Sequence, residues 1–192
     1  MNPTFDLKGE HDAIIIILAA MKKIASDILD RKHFDLFRIA QIVDFLKTYI
    51  NRAHHDKEEE ILFPALLECD APWITDTINL LMDEHIIARG YMKAIDSNLR
   101  EYIDGRAYAL ESMASGMLNY VSLEENHIKV ENQALLPLAD RYLNKTKLEC
   151  ISLDFKHIQK REIGQFQHLE YYILLRKLYA ETAVTRVREF AY

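Results

Sequence analysis

The chain has 192 residues, enough for one domain with a substantial core, and sets only five glycines and four prolines against 49% hydrophobic residues. That balance favours long uninterrupted helices over a strand-and-turn fold. A formal net charge of −6, with no basic run or stripe, argues against nucleic acid or an anionic membrane as the main partner.

Apolar residues recur at three- and four-residue intervals almost throughout. The first residues have neither a basic region nor a cleavage site, and the run Ala13–Met21 is too short to span a bilayer, so a soluble cytoplasmic protein is expected. Helix 1 is predicted from about Gly9 to Asp30, with a break near Arg31–His33. Helix 2 should run from about Phe34 to Leu67, interrupted or ended near Pro64. Asp70-Ala71-Pro72 is a start signal for a third helix reaching about Ile103. Asp104-Gly105 reads as a turn, and helix 4 continues to about Leu143. Asn144 suits a C-terminal cap, and Thr146 with Glu149 looks like a capping box that opens a fifth helix. This last helix reaches roughly Ala183, with Gly164 as a weak point. Four long helices with short links make an all-α, antiparallel up-down-up-down four-helix bundle the economical fold, over about 9–143. The additional C-terminal helix, about 146–183, must then pack on the bundle or on a second copy of the chain in a homodimer. No low-complexity linker interrupts the sequence, so 1–192 reads as a single domain. Cys69 and Cys150 lie far apart without a CxxC pair and are expected to be reduced, packed thiols.

One pattern occurs twice. His54 is followed by Glu58 and Pro64, and His127 by Glu131 and Pro137, each proline being preceded by an apolar pair, Leu62-Phe63 or Leu135-Leu136. A second pair interleaves with these, Glu10-His11 and Glu84-His85. His11 to His85 is 74 residues and His54 to His127 is 73, so the chain reads as a doubled helical hairpin. A His and a Glu four residues apart lie one above the other on a helix and can reach one metal centre. His and Glu on facing helices are how such bundles hold paired iron or manganese. Antiparallel hairpins bring His11 level with His54, and His85 level with His127.

The helical faces single out these residues. Ile50 and Ile61 put His54 on the apolar face, whereas His55 shares its face with Asn51, Arg52 and Glu59 and is expected to meet solvent, as a reserve ligand only. His127 falls on the row of Tyr120, Leu123 and Ala134; His85 on that of Ile78, Leu81 and Met92; His11 on that of Ile14, Ile15 and Leu18. Buried ionisable groups need partners, and metal would satisfy all six at once. A lone histidine on an apolar face is ordinarily a hydrogen-bonded core residue, but six residues obeying one repeat favour a two-fold metal site. On the fifth helix, His168 is a further candidate ligand and Glu162 a candidate supporting residue, beside Gly164, which would permit close approach of that helix.

The stretch His54-His55-Asp56-Lys57-Glu58-Glu59-Glu60-Ile61-Leu62-Phe63-Pro64, with Glu84-His85 and with His127 and Glu131, resembles the hemerythrin-like, HHE cation-binding family in its divergent prokaryotic branch. The resemblance covers about Gly9 to Tyr142. It implies a four-helix bundle with a non-haem di-iron centre of two Fe ions, bridged by two carboxylates and an oxo or hydroxo group. Carried over, the terminal ligands are His11, His54, His85 and His127, and the bridges are Glu58 and Glu131. Oxygen-carrying members place a second histidine four residues after the helix 3 histidine, where this chain has Arg89. They also use an aspartate five residues after the helix 4 histidine, where this chain has Glu131 at four. A fifth histidine is thus missing from the core, and His168 or solvent would complete the coordination.

The leading reading is a cytosolic di-iron protein that binds or reacts with O2, peroxide or NO; the ligand chemistry leaves Zn or Mn as other possible metals. A sensor or interaction protein whose fifth helix responds to metal or oxidation is an alternative, and iron donation for repair of iron–sulfur clusters is another. Nucleophilic catalysis has no support, because no GxSxG elbow, reactive-cysteine context or phosphate-cradling glycine loop is present. Any enzyme activity would be the metal's redox chemistry.

Overall fold

The computed structural model describes residues 2–69 and 72–182. Six helices carry it, with no strand among the described residues. α1 spans Pro3–Leu29, starting earlier than Gly9 because Asn2 caps it: the Asn2 Oδ1 accepts from the Thr4 N–H at 3.1 Å, and Pro3 opens the first turn. α2 is one continuous helical run made of Leu36–Phe45, Leu46–His54, His55–Lys57, Glu58–Leu62 and Phe63–Leu67, with Asp35 as its cap. α3 spans Pro72–Ile103. The turn after it uses Gly105 at φ 93°, a backbone region that glycine enters without a side-chain clash. α4 joins Ala109–Val130, Glu131–Leu135 and Leu136–Tyr142. The start signal at Asp70-Ala71 and the end expected near Ala183 lie outside the described residues.

These four helices form the bundle, each packed on its neighbours around a ring, α1 to α2 to α3 to α4 and back to α1. The expected fifth helix is two. α5, Lys145–Glu162, is capped by the Asn144 side chain on the Lys147 N–H; α6 is Gln165–Thr182. The break falls at Ile163, whose extended backbone drives its side chain into the core next to Gly164. α5 covers the outside of α1 and of the middle of α2, from Leu46 to Leu62, and its Ile151 and Phe155 share a cluster with Leu7 of α1. α6 lays Tyr171, Leu174, Leu175 and Leu178 on α1 and α2, and the Tyr171 hydroxyl donates to the Asp44 carboxylate at 2.8 Å. The extension therefore packs on its own bundle. Cys69 is partly buried and Cys150 exposed, both as free thiols, so Cys150 departs from the packed thiol expected. No helix among the described residues is long and apolar enough to cross a membrane.

The core is cut in two. One apolar cluster holds Ala13 to Ile28 of α1, Ile50 and Ala53 of α2, Ala88 of α3 and Ile128 of α4. The other holds Leu7, Leu62, Leu81 and Leu135 from the same four helices. On every helix of the bundle the gap between the clusters is occupied by buried histidine or glutamate: His11, His54 to Glu58, His85, and His127 to Glu131. A polar layer across a hydrophobic core is costly unless something satisfies it.

Candidate metal centre

The layer is positioned by distorted helix. In both halves, a π-type turn starts at the glutamate of the motif, Glu58–Leu62 and Glu131–Leu135. A proline at i cannot donate to residue i−4, and its ring crowds that carbonyl. The helix accommodates Pro64 and Pro137 by widening the preceding turn: the Phe63 N–H reaches back five residues to the Glu58 carbonyl, and the Leu136 N–H to that of Glu131. Pro64 therefore neither ends nor interrupts α2, although it reshapes it. A third wide turn, Leu46–His54, precedes the first motif, with the His55 N–H on the Ile50 carbonyl. Such bulges are frequent at functional sites.

Six side chains meet at the centre, each at most 2% exposed: His11, His54, Glu58, His85, His127 and Glu131. Glu58 directs Oε1 at His54 Nε2 (3.5 Å) and His11 Nε2 (4.0 Å), and Oε2 at His85 Nε2 (3.4 Å). Glu131 directs Oε2 at His11 Nε2 (3.1 Å) and Oε1 at His127 Nε2 (3.2 Å). Each carboxylate thus offers one oxygen to the His11/His54 pair and the other to the His85/His127 pair. Two four-residue groups result, sharing both glutamates, with ligand atoms lying within 4.8 Å of one another.

The outward nitrogens fix the inward ones. His54 Nδ1 donates to Glu10 Oε2 at 2.9 Å and His127 Nδ1 to Glu84 Oε2 at 2.8 Å. His11 Nδ1 donates to Asn132 Oδ1 at 3.0 Å and His85 Nδ1 to Glu59 Oε1 at 2.7 Å. With these protons outward, all four Nε2 atoms turn lone pairs into the layer, the arrangement by which proteins orient metal-binding imidazoles. The supporting residues repeat too: Glu10 and Glu84 precede the first histidine of each half, and Glu59 and Asn132 follow the motif glutamate. The duplication of Glu10 and Glu84 was visible in the sequence without a role attached; Glu59, Asn132 and Lys57 carried no signal beyond adjacency.

The electrostatics call for positive charge. The His85 and His127 Nε2 atoms face each other at 3.0 Å, which two lone pairs cannot do without a proton or cation between them. Two ligand atoms about 2.1 Å from one ion, at a right angle, stand about 3 Å apart. Burial alone would lower the histidines, yet Glu131 outweighs it and raises His11 and, well above its ordinary value, His127; Glu58 does the same for His85. Glu131, which burial would raise, is held well below the carboxylate range by His127 and His11. His11 Nε2, His54 Nε2 and all four carboxylate oxygens still lack a hydrogen bond of good geometry. The donor set and its unmet lone pairs fit metal cations.

His55 corrects the sequence reading. It is 1% exposed, stacked on His85 with ring centroids 3.8 Å apart, and forms a close group with His85 and His127. The wide turn Leu46–His54 adds a residue ahead of it, so a regular 3.6-residue wheel misplaces its face. Burial and then His85 hold its ring well below its ordinary pKa, so it is neutral. Glu59 also turns inward and pairs with Arg89 at 2.7 Å, so the position without a histidine anchors a support of His85. Lys57, only 3% exposed, ties Glu10 to Gln159 Oε1 (2.6 Å) of α5. Lys57 and His54 overcome the effect of burial and hold Glu10 down at about 2.

His168 is not brought to the centre. It lies exposed on α6, near Lys156, Gln159 and Lys160. Gly164 breaks the helix before it, so it does not lend α6 the close approach expected. Glu162 turns to Arg161 at 2.6 Å, away from the layer.

The family model for the hemerythrin HHE cation binding domain matches residues 2–139, all four helices of the bundle and both motifs. No curated protein and no solved structure gives a match.

Proposed function

Because the chain belongs to the hemerythrin HHE cation-binding family, we propose that its polar layer holds two iron ions and that the loaded protein binds or reacts with O2, peroxide or NO. His11 and His54 would serve one ion, His85 and His127 the other, and Glu58 and Glu131 both. The observation that carries this reading is the carboxylate placement, one oxygen of each toward each histidine pair. A pair of ferrous ions supplies two electrons and an open position for a small ligand. The chain's part is to hold the imidazoles through Glu10, Glu84, Glu59 and Asn132, and to keep bulk water out with the apolar clusters on either side. Imidazole and carboxylate also accept zinc or manganese, so the metal must be measured.

The test is metal analysis of protein produced with ample iron, beside a Glu58→Ala/Glu131→Ala variant. About two irons per chain are expected, and at most one in the variant, given that the bridges hold both ions. Less than one iron, unchanged by the double substitution, defeats the assignment. Adding O2 or NO to the anaerobically reduced protein should produce a new charge-transfer band. A spectrum that stays unchanged removes the reactive part of the reading.

One contact favours a second reading, a metal- or redox-dependent sensor. Lys57 links Glu10, the partner of His54, to Gln159 on α5, so a change at the layer has a polar route to the outer helix. Hydrogen exchange in α5 should then differ between metal-free, reduced and oxidised protein; identical exchange ends this reading.

A further inference from the structure

Not every buried carboxylate belongs to the layer. Glu124 of α4 is 2% exposed, yet among the described residues it joins none of the groups of side chains placed to hold an ion. It lies three residues before His127, one turn away on the same face of α4. Its partner is the Tyr120 hydroxyl, four residues earlier, which donates to the carboxylate. Tyr120 is itself buried within the larger apolar cluster, so this hydrogen bond lies out of reach of bulk water. The matching places in the first half hold Lys47 and Asn51, so the doubled ligand pattern does not require the pair. Apolar side chains would fill the same space without the cost of enclosing an ionisable group.

The order along α4 runs from phenol to carboxylate to polar layer. Tyr120 precedes His127 by two helical turns, roughly 10 Å along the axis. A phenol gives up an electron readily only when its proton has an acceptor within hydrogen-bond reach. Glu124 is such an acceptor. Burial raises its carboxyl above the ordinary range, while His127 and His85 draw it back toward the ionised form that can take a proton. Burial, and then the Glu124 charge, pushes the phenol well above its usual value, so it stays protonated at rest. We propose that Tyr120 is a one-electron donor to the metal layer, with Glu124 receiving its proton. The inference rests on the metal reading above and deepens it by adding a second source of electrons. Reducing one peroxide to two waters takes two electrons and two protons. Where only one electron is available from the layer, Tyr120 gives the other: its O–H bond breaks, the proton moves to the Glu124 carboxylate and the electron passes to the layer. The two protons for water come from solvent, and a neutral tyrosyl radical remains beside a protonated Glu124.

The experiment is electron paramagnetic resonance of the iron-loaded full chain, brought to one electron per metal pair, mixed with peroxide and frozen. Wild type, Tyr120→Phe and Glu124→Gln are compared, with iron content measured in each. A radical signal that narrows when the tyrosine rings are deuterated is expected in the wild type and lost in Tyr120→Phe. Glu124→Gln keeps a hydrogen-bond acceptor but takes up no proton, so the signal should form about a hundredfold more slowly. Iron content should equal that of wild type in both variants, since neither residue is a ligand. A signal of full strength in Tyr120→Phe, or formation at the wild-type rate in Glu124→Gln, overturns the proposal. Iron lost in Glu124→Gln would make that residue a ligand and overturn its part as proton acceptor. Iron-loaded wild type that gives no radical with peroxide overturns the electron donor and leaves the iron site standing. A wild type that binds no iron overturns both.

Discussion

Glu84 never faces the polar layer, yet His127 depends on it. Its carboxylate accepts from the His127 Nδ1–H, with nitrogen and oxygen 2.8 Å apart, and so keeps the Nε2 lone pair turned inward. Glu84→Ala should weaken metal binding roughly 10–100-fold with the fold unchanged, as measured by chelator competition. Affinity equal to wild type would show that packing alone orients the ring. Lys57 makes a different kind of case, since its ammonium is buried against Glu10 and Gln159. Lys57→Met removes one partner of an enclosed ion pair and should cost about 3 kcal/mol of unfolding free energy in urea, on the scale seen for broken buried pairs. A loss below about 1 kcal/mol would mean that solvent serves Glu10 as well as lysine does.

At the scale of the helix, the wide turns decide where the ligands point. The Glu58 and Glu131 carbonyls accept from residues five further on because Pro64 and Pro137 follow. Pro64→Ala restores a donor and relieves the ring, so Glu58–Leu62 should tighten to regular helix. The expected result is metal-free protein at least as stable in thermal melts, with weaker metal binding; unchanged affinity would show that the turn is held by packing. The same turns explain what could be read in advance. His54 with Glu58, and His127 with Glu131, are close enough along the helix that local widening does not part them. The doubled spacing made the bundle and its six inner residues legible. His55 was not, since its inward turn follows from a main-chain bond between His55 and Ile50 that no 3.6-residue wheel contains. Lys57 was hidden for another reason: its partners lie 47 and 102 residues away. The break at Ile163 was foreshadowed by Gly164, though the inward turn of Ile163 depends on the core it enters.

For the whole molecule, the polar layer divides stability into two apolar halves joined by whatever occupies the centre. Ile17→Ala, deep in the larger cluster, should cost about 2–5 kcal/mol by loss of burial and the cavity left behind, with metal stoichiometry kept. A change in stoichiometry instead would show that the clusters and the layer are not separable. Metal should raise the melting temperature by mass action, adding about 2.7 kcal/mol when free metal is a hundred times its dissociation constant. Equal melting with and without metal would contradict the layer's dependence on cations. The doubling of ligands and supports has a consequence for ancestry. One histidine pair of the layer comes from α1 and α2, the other from α3 and α4, and each half donates one carboxylate shared by both groups. A peptide of half this length could therefore build the same ring of six by pairing with itself, every residue serving twice. Joining two such copies in one chain frees each position to change once. His55 opposite Ile128, Lys57 opposite Val130 and Arg89 opposite Ile15 are differences between the halves that a self-paired peptide could not carry on one side alone.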